Sequence, residues 1–232
     1  MIDDINQTFT SRQKTITILG IVFAVVFPFV ISLVLRFSKF TGIDGIFYSR
    51  FIFWTEVLLL MLYAAKAEQR KFLPWQDKKL DIGVFLASVI VLYLASYICS
   101  IIGLIPRGFG YHESNALMKR VAMLLAGHQL LILFTCITAG VTEELIFRGY
   151  MIPRLSLLFK NDYLPVVLSA LCFGALHYGY KSLHELIFAF LIGIMFGIYY
   201  QKYRNIKVLM IAHFLIDIIN MELLTHFYKL MK

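Results

Sequence analysis

Charge is scarce in this chain of 232 residues. Asp, Glu, Lys and Arg make up 16% of it, against about 25% in an average soluble domain. That excludes a soluble globular enzyme and a charge-rich disordered tail. Proline occurs five times and glycine 14 times, which excludes a collagen-like fibre and a low-complexity linker. There are only three cysteines. Cys99, Cys136 and Cys172 all fall in apolar runs. An odd number of buried thiols makes packing residues rather than a disulfide framework, and carries no information on compartment. No sustained two-residue alternation of apolar and polar positions is present, so strands are not expected. No repeat or Ser/Pro-rich linker interrupts the chain, and residues 1–232 read as one domain. A cleavable signal peptide is not expected either. The opening is polar (Asp3, Asp4, Asn6, Gln7) and the first apolar run is too long for a signal core.

What the chain has instead is apolar sequence. Hydrophobic residues reach 60%, and the mean hydropathy is +0.78. A spanning helix needs about 20 mostly apolar residues. Seven candidates occur, near 16–35, 46–65, 82–105, 121–159, 164–180, 183–200 and 208–227. The fourth is too long for one upright span and reads as a short interfacial helix followed by a tilted one. In lipid the backbone must satisfy its own hydrogen bonds. The expected fold is therefore all-α, a polytopic membrane helix bundle of about seven or eight transmembrane helices. The net charge of +8 comes from 22 Lys and Arg against 14 Asp and Glu. These basic residues sit between apolar runs, where lipid head groups are the expected partners and nucleic acid is not. With the N-terminus inside, the inner segments carry more Lys and Arg than the outer ones, which include Lys39 and Lys232.

Ionisable groups inside a bilayer cost at least about 2.5–3.5 kcal/mol each, so each is a functional candidate. The fourth span carries Glu143, Glu144 and Arg148, the fifth Phe173 and His177, and the seventh His213 and Asp217 with Asn220 beyond. Glu144 and Arg148 are four residues apart, as are His213 and Asp217, so each pair shares a helix face. Glu143 is turned about 100° from Glu144 and is the freer carboxylate. At 1.5 Å per residue from the face holding Asp162 and Arg204, Glu143 and His177 lie about 20 Å deep, His213 about 10 Å and Asp217 about 15 Å. That face is also the more basic one, so a site in the cell membrane opening towards the cytoplasm is expected. Two chemistries suit these groups. One is water activation by Glu and His with stabilisation of an oxyanion. The other is a Zn²⁺ site with Glu143, His177 and His213 as ligands.

In this order on successive apolar helices, Glu-Glu-x-x-x-Arg, Phe-x-x-x-His and His-x-x-x-Asp resemble the CPBP (Abi) family of intramembrane endopeptidases. That family includes the CAAX prenyl endopeptidases and bacterial proteins tied to bacteriocin immunity or peptide processing. The resemblance covers about residues 121–227; the first three helices carry no matching motif. It implies hydrolysis of a peptide bond in a membrane-associated peptide or lipidated protein. Carried over, Glu143 and His177 activate water, His213 and Asp217 line the oxyanion site, and Glu144 and Arg148 support geometry or polarise the substrate. It favours a mechanism without a cofactor over a Zn²⁺ one. The family has Asn or Asp at the position of Asp217; an ionised Asp cannot donate to an oxyanion, so Asp217 is either protonated or orients His213, and failing both Asn220 is the substitute donor. Other classes that fit are a non-catalytic scaffold or immunity protein and, less well, a proton-coupled transporter, which usually shows inverted repeats. Phe173 reads as packing. His112, His128, His184 and His226 read as interfacial. Glu56 is undecided between bundle and interface, and the oligomeric state is not specified.

Overall fold

The computed structural model describes residues 10–36, 41–112 and 116–230. The polar opening residues and Lys39 and Lys232 lie outside them. In chain order the helices are α1 (Ser11–Arg36), α2 (Gly42–Lys66), α3 (Ile82–Gly103), a single turn α4 (Ile105–Gly108), α5 (Ala116–Leu125) and α6 (Gln129–Glu144). A π-helical turn (Leu145–Met151) joins α6 to α7 (Ile152–Phe159). Next come α8 (Leu164–Leu176), a 3₁₀ turn (His177–Tyr180), α9 (Leu183–Tyr203) and α10 (Ile206–Leu230). No strand occurs among the described residues.

Six helical stretches are long and apolar enough to cross a membrane, and Leu164–Tyr180 is a shorter apolar one. The protein is a multi-pass helical membrane protein. The long fourth pattern divides at Gly127, whose φ of +90° no helix accommodates, leaving α5 apart from the 31-residue stretch Gln129–Phe159. The outward faces of α1, α2 and α3 expose large apolar side chains such as Leu19, Leu58 and Ile98. Lipid, not water, is the environment such faces require.

Local chemistry sets several helix ends. Asp81 Oδ1 accepts from the Gly83 N–H at 2.8 Å and starts α3. Asn161 Oδ1 accepts from the N–H groups of Tyr163 and Leu164, both at 2.8 Å, and starts α8. Ser182 Oγ accepts from the Glu185 N–H at 3.2 Å and starts α9. The π turn has a cause of its own. Pro153 has no N–H to return to the Gly149 carbonyl, and its ring crowds that carbonyl. A widened turn immediately before it relieves both problems.

The end of the bundle holding the α9–α10 link is closed by the connection between α2 and α3. Arg154 donates from Nε and Nη2 to both carboxylate oxygens of Glu68, at 2.5–3.0 Å, and from Nη1 to the carbonyls of Phe72 and Tyr150, at 3.1 Å each. Tyr150 Oη donates to Glu68 at 2.9 Å. The Arg204 guanidinium covers Trp75 at 3.3 Å, and Asp77 Oδ1 accepts from the Ile206 N–H at 2.9 Å. This latch keeps the loop folded over the helix ends.

Two helices approach unusually closely. A Cβ on Gly140 of α6 would lie 2.9 Å from the Phe214 backbone N and 3.0 Å from the Met210 carbonyl O of α10. Backbone cannot yield as a side chain can, so Gly140→Ala is expected to push α6 and α10 apart. The cost is about 1–3 kcal/mol, read as a lower melting temperature in detergent. A melting temperature equal to that of the parent would show that the two helices are not held at this spacing.

Candidate active site

The close approach at Gly140 brings the acidic end of α6 against His213 on α10. Glu144 is fully buried, and its Oε1 accepts from Arg148 Nη1 at 2.8 Å and from His213 Nδ1 at 2.8 Å. A carboxylate ion-paired to arginine only accepts hydrogen bonds, so His213 carries a proton on Nδ1. Its Nε2 then points the other way, 3.8 Å from Glu143 Oε2 and 3.6 Å from Asp217 Oδ2. Arg148 is buried as well. Its guanidinium lies over the rings of Phe173 at 4.5 Å and Phe196 at 5.4 Å. Two aromatic faces thus supply electron density to a cation that has only one carboxylate partner.

His177 begins the 3₁₀ turn at the end of α8. Its Nδ1 lies 3.0 Å from the Phe173 carbonyl O, which can only accept. Nδ1 therefore holds the ring proton, and Nε2 presents its lone pair. The Phe173 ring packs edge-on against His177 at 4.9 Å and against His213 at 6.1 Å. It also stacks under Arg148, so it packs and orients three polar side chains at once.

Glu143, His177, His213 and Asp217 all line one cavity of about 750 Å³. Glu144 and Arg148 do not line it; they sit behind His213. Side-chain exposure follows the same division: 17% for Glu143 and 32% for Asp217, against 0% for Glu144 and 1% for Arg148. Asn220 lines the cavity too, one turn further along α10.

Other lining residues were not singled out by their sequence. Arg50 of α2 lines the cavity, as do Tyr180, Glu185 and the histidines 184 and 226. His184 Nε2 lies 3.2 Å from Ser100 Oγ on α3 and its Nδ1 3.3 Å from Glu185 Oε1. The interfacial reading of these two histidines is thus incomplete, because they also face the cavity. Glu56 turns into the bundle, fully buried, with no hydrogen-bond partner for its carboxyl among the described residues. It is close enough to Glu143 to interact with it electrostatically. The three N-terminal helices carry no motif, yet α2 and α3 supply part of this wall. An ionisable residue within an apolar run was the available signal for Arg50, as it was for Glu56.

The lining residues also locate the open end. The cavity runs from His213 along α10 to Phe227, 14 residues or about 21 Å at helical rise. It meets the end of α8, the start of α9 and the end of α3. All of these lie at the end of the bundle opposite the Asp162 and Arg204 loops. The cavity lining thus lies towards the end of the bundle away from the latched 67–81 loop.

Among the described residues, no three His, Cys, Asp or Glu side chains are arranged to hold a metal ion. Of the expected trio, His213 Nδ1 is engaged by Glu144 and His177 Nδ1 by a carbonyl.

Comparison with known proteins agrees with the motifs. Residues 125–219 match the family model described as Rce1-like, type II CAAX prenyl endopeptidase. The matched segment holds every motif residue described above, and it supports the resemblance to the CPBP family of intramembrane endopeptidases. No curated protein and no solved structure matches the chain.

Proposed function

We propose that this protein is a glutamate-dependent intramembrane endopeptidase. It hydrolyses a peptide bond near the C-terminal end of a lipidated, membrane-associated protein or peptide. The carrying observation is the shared cavity. Glu143, His177, His213 and Asp217 face one space, while Glu144 and Arg148 brace it from behind.

In this reading a water molecule sits between the Glu143 carboxylate and the lone pair of His177 Nε2. Glu143 takes a proton as the water oxygen attacks the scissile carbonyl carbon. The negative charge that develops on the carbonyl oxygen is met by an N–H on His213 Nε2. Glu144, on the far ring nitrogen, fixes the orientation of that imidazole and favours its doubly protonated form in the transition state. Collapse of the tetrahedral intermediate breaks the C–N bond. The proton held by Glu143 then passes to the leaving amine. Asp217 orients His213 from the cavity side. The enclosing apolar helices keep bulk water out, which strengthens each electrostatic contact. The cavity is lined by apolar as well as polar groups between membrane-spanning helices, which suits a substrate carrying an acyl or prenyl chain.

The direct test is cleavage of a fluorogenic, prenylated peptide panel by purified protein in detergent, with and without a strong chelator. Cleavage that is unchanged by chelator is expected. Cleavage lost with chelator and restored by Zn²⁺ would replace the glutamate mechanism with a metal-dependent one. Failure to cleave any member would favour the scaffold reading.

The Asp217 role gives a second prediction. Asp217→Asn keeps a side chain of the same shape and adds an N–H donor. It is expected to retain activity within about tenfold, while Asp217→Ala loses about 10²–10³-fold in kcat, because the oxyanion-site donor His213 loses the group that orients it. Equal losses in both variants would assign the charge, not the shape, as the essential property.

A further inference from the structure

Arg50 stands at an unusual place. It is the ninth residue of α2, about 12 Å along a spanning helix, and it lines the cavity with Glu143 and Asp217. A guanidinium is charged at every relevant pH and offers five N–H donors in a planar fork. Two of its nitrogens, Nε and Nη2, donate to Ser49 Oγ at 3.3 and 3.0 Å, and its face covers Phe53 at 5.2 Å. Among the described residues no carboxylate lies within ion-pair distance of it. The two buried arginines differ. Arg148 and Arg154 each hold a carboxylate at 2.8 and 2.5 Å. Charge inside a bilayer is expensive and is kept where it meets a partner or a ligand.

We propose that Arg50 binds the free α-carboxylate of the substrate's C-terminus, and that this contact selects the bond to be cut. This rests on the peptidase reading above and assigns the substrate-recognition residue it lacks. A carboxylate is the anion whose two oxygens match the guanidinium fork. The spacing is suitable. α2 and α6 run side by side in the same direction, with Phe51 against Phe134 at 5.6 Å and Trp54 Nε1 donating to Thr138 Oγ1 at 3.1 Å. Arg50 is therefore level with the part of α6 near Leu133 and Phe134, and Glu143 lies about 14 Å further along. An extended peptide advances about 3.3 Å per residue, so a chain end held at Arg50 brings a bond roughly four residues upstream to Glu143. Arg50 is also on the side towards the open end, so the C-terminus stays near the mouth while the bond to be cut lies deeper. The acids that share the cavity, Glu143 and Asp217, interact with Arg50 electrostatically. They repel an anion elsewhere in the cavity and confine it to this one cation.

The test compares two synthetic prenylated dodecapeptides that differ only at the C-terminus, a free acid and an amide. Binding is read by fluorescence anisotropy on the Glu143→Gln variant, and cleavage on the parent. The expected result is at least tenfold tighter binding of the acid and an acid-over-amide preference in kcat/KM. Both preferences should vanish in Arg50→Gln and return in part in Arg50→Lys. An acid preference that survives Arg50→Gln overturns the proposal, as does equal binding of acid and amide, or binding of neither, in the Glu143→Gln background. Arg50 would then serve only to balance Glu143 and Asp217. The two readings fail separately. Cleavage of both peptides at equal rates leaves the peptidase and removes the carboxylate contact. Acid-selective, Arg50-dependent binding without cleavage does the reverse.

Discussion

Glu143→Gln is expected to abolish peptide cleavage while leaving the protein folded. Glutamine has the shape of the carboxylate but cannot take a proton from water at neutral pH. A positioned general base contributes about 10²–10⁴-fold, and here it must also deliver that proton to the leaving amine. Loss of both duties puts the expected fall in kcat at about 10³-fold or more, or about 4 kcal/mol of activation free energy. Stability should barely change. The Glu143 side chain is partly exposed to the cavity, and His213 Nε2, 3.8 Å away, is too far for a hydrogen bond. The two measurements are single-turnover cleavage and thermal unfolding in the same detergent. A variant that cleaves at a tenth of the parental rate or better would remove Glu143 from the chemistry. A variant that loses activity and ten degrees of melting temperature would make it structural.

The second large effect is on stability. Arg148→Met is expected to destabilise the bundle by about 3–5 kcal/mol, because it leaves a buried carboxylate without its cation. For a domain of this size that is a fall of roughly 6–20 °C in melting temperature. Glu144 is fully buried and its Oε2 already lacks a hydrogen-bond partner among the described residues. With Arg148 gone, only His213 remains to hold Glu144. Activity should fall too, since the same carboxylate orients His213. The double variant Glu144→Gln/Arg148→Met removes both charges and should be more stable than Arg148→Met alone. A single variant that melts within two degrees of the parent would show that the aromatic faces and water had already compensated the carboxylate. A double variant no better than the single would put the cost in lost packing around Phe173 and Phe196.

The same pair marks where a linear reading succeeds and stops. Helix period places Glu144 and Arg148 on one face and turns Glu143 away, because that relation involves only a local rotation per residue. The apolar runs identify the spanning helices for the same reason: a segment's need for lipid is a property of its own side chains. The split of the long fourth pattern into α5 and a separate span is local as well, set by Gly127. The order of the three motifs points to the family, and the match over residues 125–219 agrees.

What could not be read locally depends on how long helices rotate and slide against one another. That Glu144, and not Glu143, holds His213 follows from the close approach of α6 to α10 at Gly140, a contact between residues some seventy positions apart. Arg50, Glu56, His184 and Tyr180 reach the site from helices with no motif. Their side chains face inward only because α2, α3 and α9 pack as they do. The end of the bundle that the cavity reaches depends on packing too. Depth along each helix is additive and can be counted, but which end is sealed is settled by the latch of Arg154 on Glu68 and Arg204 on Trp75, contacts between a loop and helices distant in the chain. Sequence alone therefore determined the helical membrane fold and the identity of the polar motif residues. Tertiary packing decided which of them face the cavity, which stand behind it, and where the cavity opens, because azimuth and closure are set by contacts between helices rather than within them.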